Sequence, residues 1–141
     1  MELQRILRLE KMHVLIGQDT DSESNALEAS MPWIVKFDKD EFVGKWALEH
    51  VQERGLRDRL VGFEMRDGDV PAEGTAIVMD GRLAGRVTSA RFSESVGHTI
   101  GLAWVPESLA VEDAEISMPG SRRANVRLRP FFDPEGERLR S

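Results

Sequence analysis

The sequence contains no cysteine among its 141 residues. Disulfide bonds, thiolate metal sites, iron–sulfur clusters and cysteine nucleophiles are therefore excluded. The chain is long enough to bury roughly two-thirds of the surface that its unfolded form exposes, so its core needs no covalent support. A single ordinary domain, or a small domain with an appendage, accounts for this length.

Long apolar runs are also missing. No stretch approaches the roughly 18 apolar residues that a membrane-spanning helix needs. Residues 1–11, MELQRILRLEK, carry charge from the second residue onward and lack the apolar core of a signal peptide. These absences predict a cytoplasmic protein that has no membrane partner.

An excess of positive charge is absent: 25 acidic residues outnumber 19 lysines and arginines, and the formal net charge is −6. This balance argues against nucleic-acid binding, and the poor interleaving of basic and aromatic residues disfavours an oligonucleotide-binding barrel. His13, His50 and His98 are not spaced as metal ligands, so we expect no metal. The chain has no G-x-S-x-G elbow, no G-x-G-x-x-G loop and no Walker loop, so no catalytic residue is assigned.

Helical spacing dominates the first part of the chain. Leu3, Ile6 and Leu7 recur at the spacing of one helix face and predict a helix over residues 2–11. Pro32 precedes an apolar run that predicts a short strand over residues 33–37.

A second helix is predicted over residues 42–53, with Gly55 placed to end it. Its predicted apolar side consists of Val43, Trp46, Ala47 and Val51. The three tryptophans, Trp33, Trp46 and Trp104, are more typical of core packing than of ligand stacking.

From about residue 56 the pattern becomes extended. Asp80-Gly81 between two apolar runs is a strong hairpin signal, and residues 93–97 form the polar turn of a second hairpin. Strands are predicted over residues 60–65, 76–79, 83–87, 86–92, 99–105, 114–118 and 123–128. The predicted fold class is α+β: a short helical and strand segment followed by a small antiparallel β-barrel of Greek-key type with six or seven strands.

Five segments resemble motifs of the glycine-cleavage T-protein (aminomethyltransferase) family in order and spacing. They are residues 7–21 (LRLEKMHVLIGQDTD), 27–33 (LEASMPW), 42–48 (FVGKWAL), 60–63 (LVGF) and 85–105, which contains VTS. Two short sequences, E-K-x-H and G-Q-D-T-D, resemble the branch of the sarcosine-oxidase α-subunit and dimethylglycine dehydrogenase more closely than they resemble T-protein itself. The resemblance covers residues 3–132.

The resemblance implies only the C-terminal portion of such a protein. It divides the chain into residues 1–55, a partial remnant of the folate-binding middle domain, residues 56–132, the barrel, and residues 133–141, a flexible tail. Full-length relatives fold as three domains around a central hole for tetrahydrofolate, with the catalytic aspartate in the N-terminal portion. For this chain, a partial tetrahydrofolate site is therefore the most that the resemblance implies.

Three residues are implied as folate contacts: Arg5, Arg8 and Trp33. Gln4 stands where T-proteins have an arginine that contacts substrate, and Arg5 beside it points about 100° away on a helix. Ile16 replaces a family tyrosine, and the chain has no tyrosine at all.

Two functions remain open at this point. In the first, the chain belongs to a folate-dependent one-carbon transfer enzyme and needs a partner chain that supplies the N-terminal half. In the second, it is a non-catalytic interaction module, and its helical section exposes apolar faces that a homo-oligomer covers.

Overall fold

The computed structural model describes residues 2–140. Its helices are α1 (Glu2–Glu10) and α2 (Lys45–Arg54), and short 3-10 helices lie at Pro32–Ile34, Glu107–Leu109 and Glu137–Leu139. Its strands are β1 (Asp58–Met65), β2 (Ala76–Met79), β3 (Arg82–Ser93), β4 (His98–Pro106), β5 (Glu115–Met118) and β6 (Arg122–Arg127). No helix in this described range is long and apolar enough to cross a membrane.

The six strands form a closed antiparallel barrel in the order β1-β4-β3-β2-β5-β6. This arrangement confirms the predicted fold class, an α+β chain that ends in a small barrel. The β2–β3 turn confirms the hairpin predicted at Asp80-Gly81, with φ values of 52° and 73° at the two residues, as a type I′ turn requires. The chain closes the barrel by pairing β6 with β1 through Gly62–Glu64.

Side chains from alternate positions of the strands fill the barrel interior. This core includes Phe63, Ile77, Val87, Val105 and Val126, each 0–1% exposed. A second core lies outside the barrel, where α1 packs on β3 and β4. It consists of Leu9, Leu60, Ile100, Leu102 and Trp104. β1 and β4 are therefore buried on both faces, which explains why their sequences are almost continuously apolar.

Strand β3 is irregular at its centre. Its pairing register with β4 shifts between Val87 and Ser89, which leaves Thr88 as the extra residue of a β-bulge. The sequence predicted two overlapping runs here, and the structure joins them in one strand of 12 residues. A bulge turns side chains that would otherwise alternate between faces, so Thr88 and Ser89 both reach the same buried group outside the barrel.

The predicted strand over residues 33–37 is wrong. Pro32 begins a 3-10 helix that extends to Ile34, and no strand follows within the described residues before α2. Proline is favoured in the first turn of a helix because it has no amide hydrogen to leave unpaired and its φ is already helical. Helix α2 itself begins at Lys45, later than predicted, because Gly44 adopts φ 88°.

The predicted apolar faces of both helices point largely to solvent. Leu3 and Leu7 on α1 are 68% and 51% exposed, whereas Leu9 and Glu10 are the buried residues of that helix. Helix α2 buries none of its residues, and Trp46 is 79% exposed. The prediction of core packing is therefore wrong for Trp33 and Trp46 and confirmed for Trp104, which is 8% exposed.

Candidate functional site

An apolar cleft of about 530 Å³ lies between the end of α1, the turn at Pro32 and the C-terminal segment. We call it the Trp33 cleft. It is lined by Lys11, Met12, His13, Val14, Ile16, Ala29, Ser30, Met31, Trp33, Leu60, Leu102, Leu128 and Pro130. Trp33 is 72% exposed and Ile16 is 86% exposed, so an indole ring and an aliphatic side chain are free to contact a ligand. A cleft of this size and polarity is typical of small-molecule sites.

A buried polar cluster lies beside this cleft, centred on Asp19, which has no exposed surface. Arg8 and the backbone amide of Leu15 donate to Asp19 Oδ2 at 2.6 and 2.8 Å. Thr88 and Ser89 donate their hydroxyl hydrogens to Oδ1 at 2.6 and 2.5 Å. A buried carboxylate is tolerated when its charge is paired and its lone pairs are filled, and Asp19 meets both conditions.

The same cluster joins three parts of the chain. Arg8 also donates to the carbonyl of His13 at 3.0 Å and to Ser89 Oγ at 2.8 Å. The indole nitrogen of Trp104 donates to the backbone oxygen of Asp19 at 2.8 Å. Residues 8–19 are thereby fixed to β3 and β4 of the barrel. We call Arg8, Asp19, Thr88, Ser89 and Trp104 the Asp19 cluster.

The structure does not bring the three sequence-predicted contacts together. Trp33 lines the Trp33 cleft, but Arg5 and Arg8 do not. Arg5 is exposed on α1, and the guanidinium of Arg8 is engaged by Asp19, Ser89 and the His13 carbonyl. Sequence reasoning missed Asp19, Thr88 and Ser89, although the D of GQDTD and the TS of VTS stood in the motifs used for the resemblance.

A second charged cluster is centred on Glu64 of β1, which is 6% exposed. His98 Nε2 lies 2.9 Å and Arg127 Nε lies 3.3 Å from Glu64 Oε2. Burial by itself raises the pKa of Glu64, but the hydrogen bond with His98 and the charge of Arg127 outweigh it. The net result is a Glu64 pKa below the ordinary value of 4.5.

An acidic cleft of about 590 Å³ opens beside β3, with Asp21, Glu23, Glu28 and Asp58 among its lining residues. Arg86 faces Asp21 at 3.6 Å. A side-chain hydrogen bond from Ser24 is the main reason that the pKa of Asp21 lies below its ordinary value. Within residues 2–140, no group of three or more histidine, aspartate or glutamate side chains is arranged to hold a metal ion.

Comparison with protein families gives a direct match to the barrel. The model of the glycine cleavage T-protein C-terminal barrel domain matches residues 59–133, more than half of the chain. The chain belongs to this T-protein family. The matched region begins at the second residue of β1. It ends just after Phe132, whose amide donates to the carbonyl of Glu10 at the end of α1.

Curated relatives extend the similarity of this T-protein family member beyond the barrel. The aminomethyltransferase of Rubrobacter xylanophilus is 44% identical over 136 residues, which is 92% of this chain and 37% of the relative. The aminomethyltransferase of Thermotoga petrophila is 38% identical over 130 residues, which is 90% of this chain and 35% of the relative. The chain thus spans about a third of the length of the curated relatives it matches.

A solved structure shares the fold of this T-protein family member. The crystal structure of glycine cleavage system aminomethyltransferase T from Bartonella henselae superposes with a TM-score of 0.85 at 24% sequence identity. The alignment covers 93% of this chain and 38% of that chain. The shared fold therefore extends beyond the barrel into the segment that precedes it.

Proposed function

We propose that this chain provides the barrel and the adjoining segment of a tetrahydrofolate-dependent aminomethyl-transfer protein. The carrying observation is the Trp33 cleft, an open apolar site with an exposed indole, in a chain whose curated relatives are aminomethyltransferases. Such chemistry depends mainly on holding an aminomethyl-type group beside the folate, with a carboxylate nearby to move protons. A polypeptide equivalent to the rest of the relatives would supply that carboxylate.

Tetrahydrofolate is the ligand proposed for the cleft, as a partial site completed by the other polypeptide. The flat pterin ring stacks on the exposed face of Trp33, and the apolar lining covers its second face. Arg5 is exposed and free to approach the carboxylates of the folate tail. Arg8 belongs to the proposed site through its position beside the cleft, while its guanidinium is engaged by Asp19.

Several finer predictions accompany this proposal. The chain divides into residues 1–55 of a folate-binding middle domain, the barrel of residues 56–132 and a tail of residues 133–141. Its specificity follows the branch of the sarcosine-oxidase α-subunit and dimethylglycine dehydrogenase. It acts in the cytoplasm without a metal, nucleic acid or membrane.

Calorimetric titration with tetrahydrofolate tests the proposal. The chain is titrated alone and after mixing with the polypeptide equivalent to the first two-thirds of an aminomethyltransferase relative. We expect weak heat alone and at least tenfold tighter binding in the mixture, because the second polypeptide completes the site. Trp33→Ala is expected to abolish the heat, whereas Trp46→Ala, which removes an equally exposed indole outside the cleft, is the matched control. The absence of both binding heat and thermal protection, in the chain alone and in the mixture, would refute the proposal.

A second candidate function is a non-catalytic module that acts by self-association. The observation in its favour is that many large apolar side chains within residues 2–54 are at least 40% exposed. They are Leu3, Leu7, Leu15, Ile16, Trp33, Ile34, Val43 and Trp46. Exposed apolar surface of this extent is typical of an interface, and a second copy of the chain would cover it in a homo-oligomer.

A further inference from the structure

One wall of the Trp33 cleft is built from a loop rather than from a helix or strand. His13, Val14 and Ile16 line the cleft, and the chain then turns at Gly17, where φ is 89°. The turn is closed by a hydrogen bond from the Gly17 amide to the Thr20 carbonyl at 3.1 Å. Loops of this kind do not hold a fixed shape unless other groups restrain their backbone.

The restraint comes from the Asp19 cluster. Asp19 Oδ2 accepts the Leu15 amide, and Arg8 donates to the His13 carbonyl, so the cluster binds the backbone at both ends of the cleft-lining stretch. The Asp19 amide donates in turn to the Leu15 carbonyl at 2.9 Å. None of Arg8, Asp19, Thr88 and Ser89 lines the cleft itself.

The barrel anchors this cluster through the β3 bulge. Consecutive residues of a regular strand face opposite sides of the sheet, so Thr88 and Ser89 could not both bind one carboxylate without the bulge. Here both hydroxyls reach Asp19 Oδ1, and Ser89 also accepts hydrogen bonds from Arg8 and from Gln18. The rigid barrel therefore determines where the loop lies.

We propose that the Asp19 cluster positions the His13–Ile16 wall of the Trp33 cleft, so that residues which never touch the ligand set the affinity of the cleft for reduced folate. This inference rests on the proposed function for the identity of the ligand. Its positioning part stands on the hydrogen bonds alone. Arg8, Asp19, Thr88 and Ser89 are thus positioning residues of the site.

The test uses a matched pair of variants at one position of the full chain. Thr88→Val keeps the shape of the side chain but removes the hydroxyl that donates to Asp19, whereas Thr88→Ser keeps the hydroxyl. Thr75→Val is the control, because the Thr75 hydroxyl donates only to the carbonyl of Ala72 in a turn outside the cluster. Three of the four hydrogen bonds to the Asp19 carboxylate remain in Thr88→Val, so we expect this variant to fold.

The first measurement is amide hydrogen exchange without ligand. We expect Thr88→Val to increase the exchange rates of the Leu15 and Asp19 amides at least fivefold, while the paired amides of β1 and β4 keep their wild-type rates. Thr88→Ser and Thr75→Val should match the wild type. Unchanged rates at Leu15 and Asp19 in Thr88→Val would overturn the positioning role, as would an equal increase throughout the barrel.

The second measurement is tetrahydrofolate affinity, taken well below the melting temperature of every variant. We expect Thr88→Val to weaken binding about fivefold or more, and Thr88→Ser to restore it. Equal affinity in Thr88→Val and wild type, with faster loop exchange, would overturn the link to affinity. If wild type binds no tetrahydrofolate, the proposed function fails, and the exchange measurement alone then decides the positioning role.

Discussion

Glu64 illustrates how a single side chain sets the acid stability of the barrel. Its pKa is lowered in the folded protein because the bond with His98 and the charge of Arg127 outweigh the effect of burial. An unfolded Glu64 therefore binds its proton at higher pH than the folded one. The stabilisation is fully present above about pH 4.5 and is lost as the pH falls through the folded pKa.

Replacing Glu64 by a neutral residue is expected to lower the free energy of unfolding at neutral pH and to have a smaller effect in acid. Glu64→Gln should lower the free energy of unfolding by about 1.5–3 kcal/mol at pH 7, the range for hydrogen bonds to charged groups. The difference from wild type should shrink below pH 4.5, where the wild-type carboxylate also becomes protonated. Urea titrations at pH 7 and pH 3 measure it. A difference that stays constant between the two pH values contradicts the assignment.

Gly101 on β4 is a second position where the identity of a single residue decides stability. A methyl group there would overlap the carbonyl oxygen of Ser89 and the ring of Phe63, both fixed parts of the barrel. We expect Gly101→Ala to cost about 3 kcal/mol, because the core is too closely packed to yield. Gly97→Ala, with open space but φ of 86°, should cost about 1 kcal/mol. Equal melting temperatures for the two variants would argue against this packing.

At the scale of elements, α1 and α2 differ in burial, although both carry apolar residues along one side: α1 buries two residues and α2 buries none. Helix α1 docks on β3 and β4 through its buried end, where Leu9 is 1% exposed. Helix α2 buries none of its residues. An isolated helix of ten residues is only marginally stable in water, so packing against a partner surface would stabilise α2.

The docking of α1 can be tested with two leucines on the same helix. Leu9→Ala is expected to destabilise the protein by about 2–5 kcal/mol because it leaves a cavity between α1 and the barrel. Leu7→Ala, at a position 51% exposed, should change stability by less than about 0.5 kcal/mol. Thermal unfolding of both variants measures the contrast. A larger loss of stability in Leu7→Ala than in Leu9→Ala would contradict this orientation of α1.

For the whole molecule, the contrast lies between a well-buried barrel and the exposed apolar side chains of residues 2–54. Natural monomers rarely expose contiguous apolar patches larger than a few hundred Å². Trp33 and Trp46 are 72% and 79% exposed, and a tryptophan side chain offers up to about 250 Å². Either a second copy or a larger polypeptide would cover this surface.

Sedimentation velocity of the isolated chain distinguishes these cases. We expect a dimer or larger species at tens of micromolar, because no other polypeptide is present to cover the surface. Trp46→Lys should shift the population toward monomer, whereas Leu83→Lys, at a barrel position 78% exposed, should not. A wild-type chain that sediments as a monomer at every concentration would argue against self-association.

Much of the barrel could be predicted because its signals are local. Asp80-Gly81 specifies its hairpin through the positive φ that both positions need, and the apolar runs on either side specify the strands. The predicted strand over residues 76–79 coincides with β2. The strand predicted over residues 33–37 failed because a short apolar run does not distinguish a strand from a helical turn, and Pro32 favoured the turn.

What the sequence determined by itself is thus the fold class, the hairpins and the family, since each depends on neighbouring residues or on motifs in order. The tertiary structure alone decided which faces of α1 and α2 are buried, because that choice depends on what the barrel presents to them. It also decided the Asp19 cluster. Asp19 meets Thr88 across 69 residues of sequence, and only the bulge in β3 turns two successive hydroxyls toward one carboxylate.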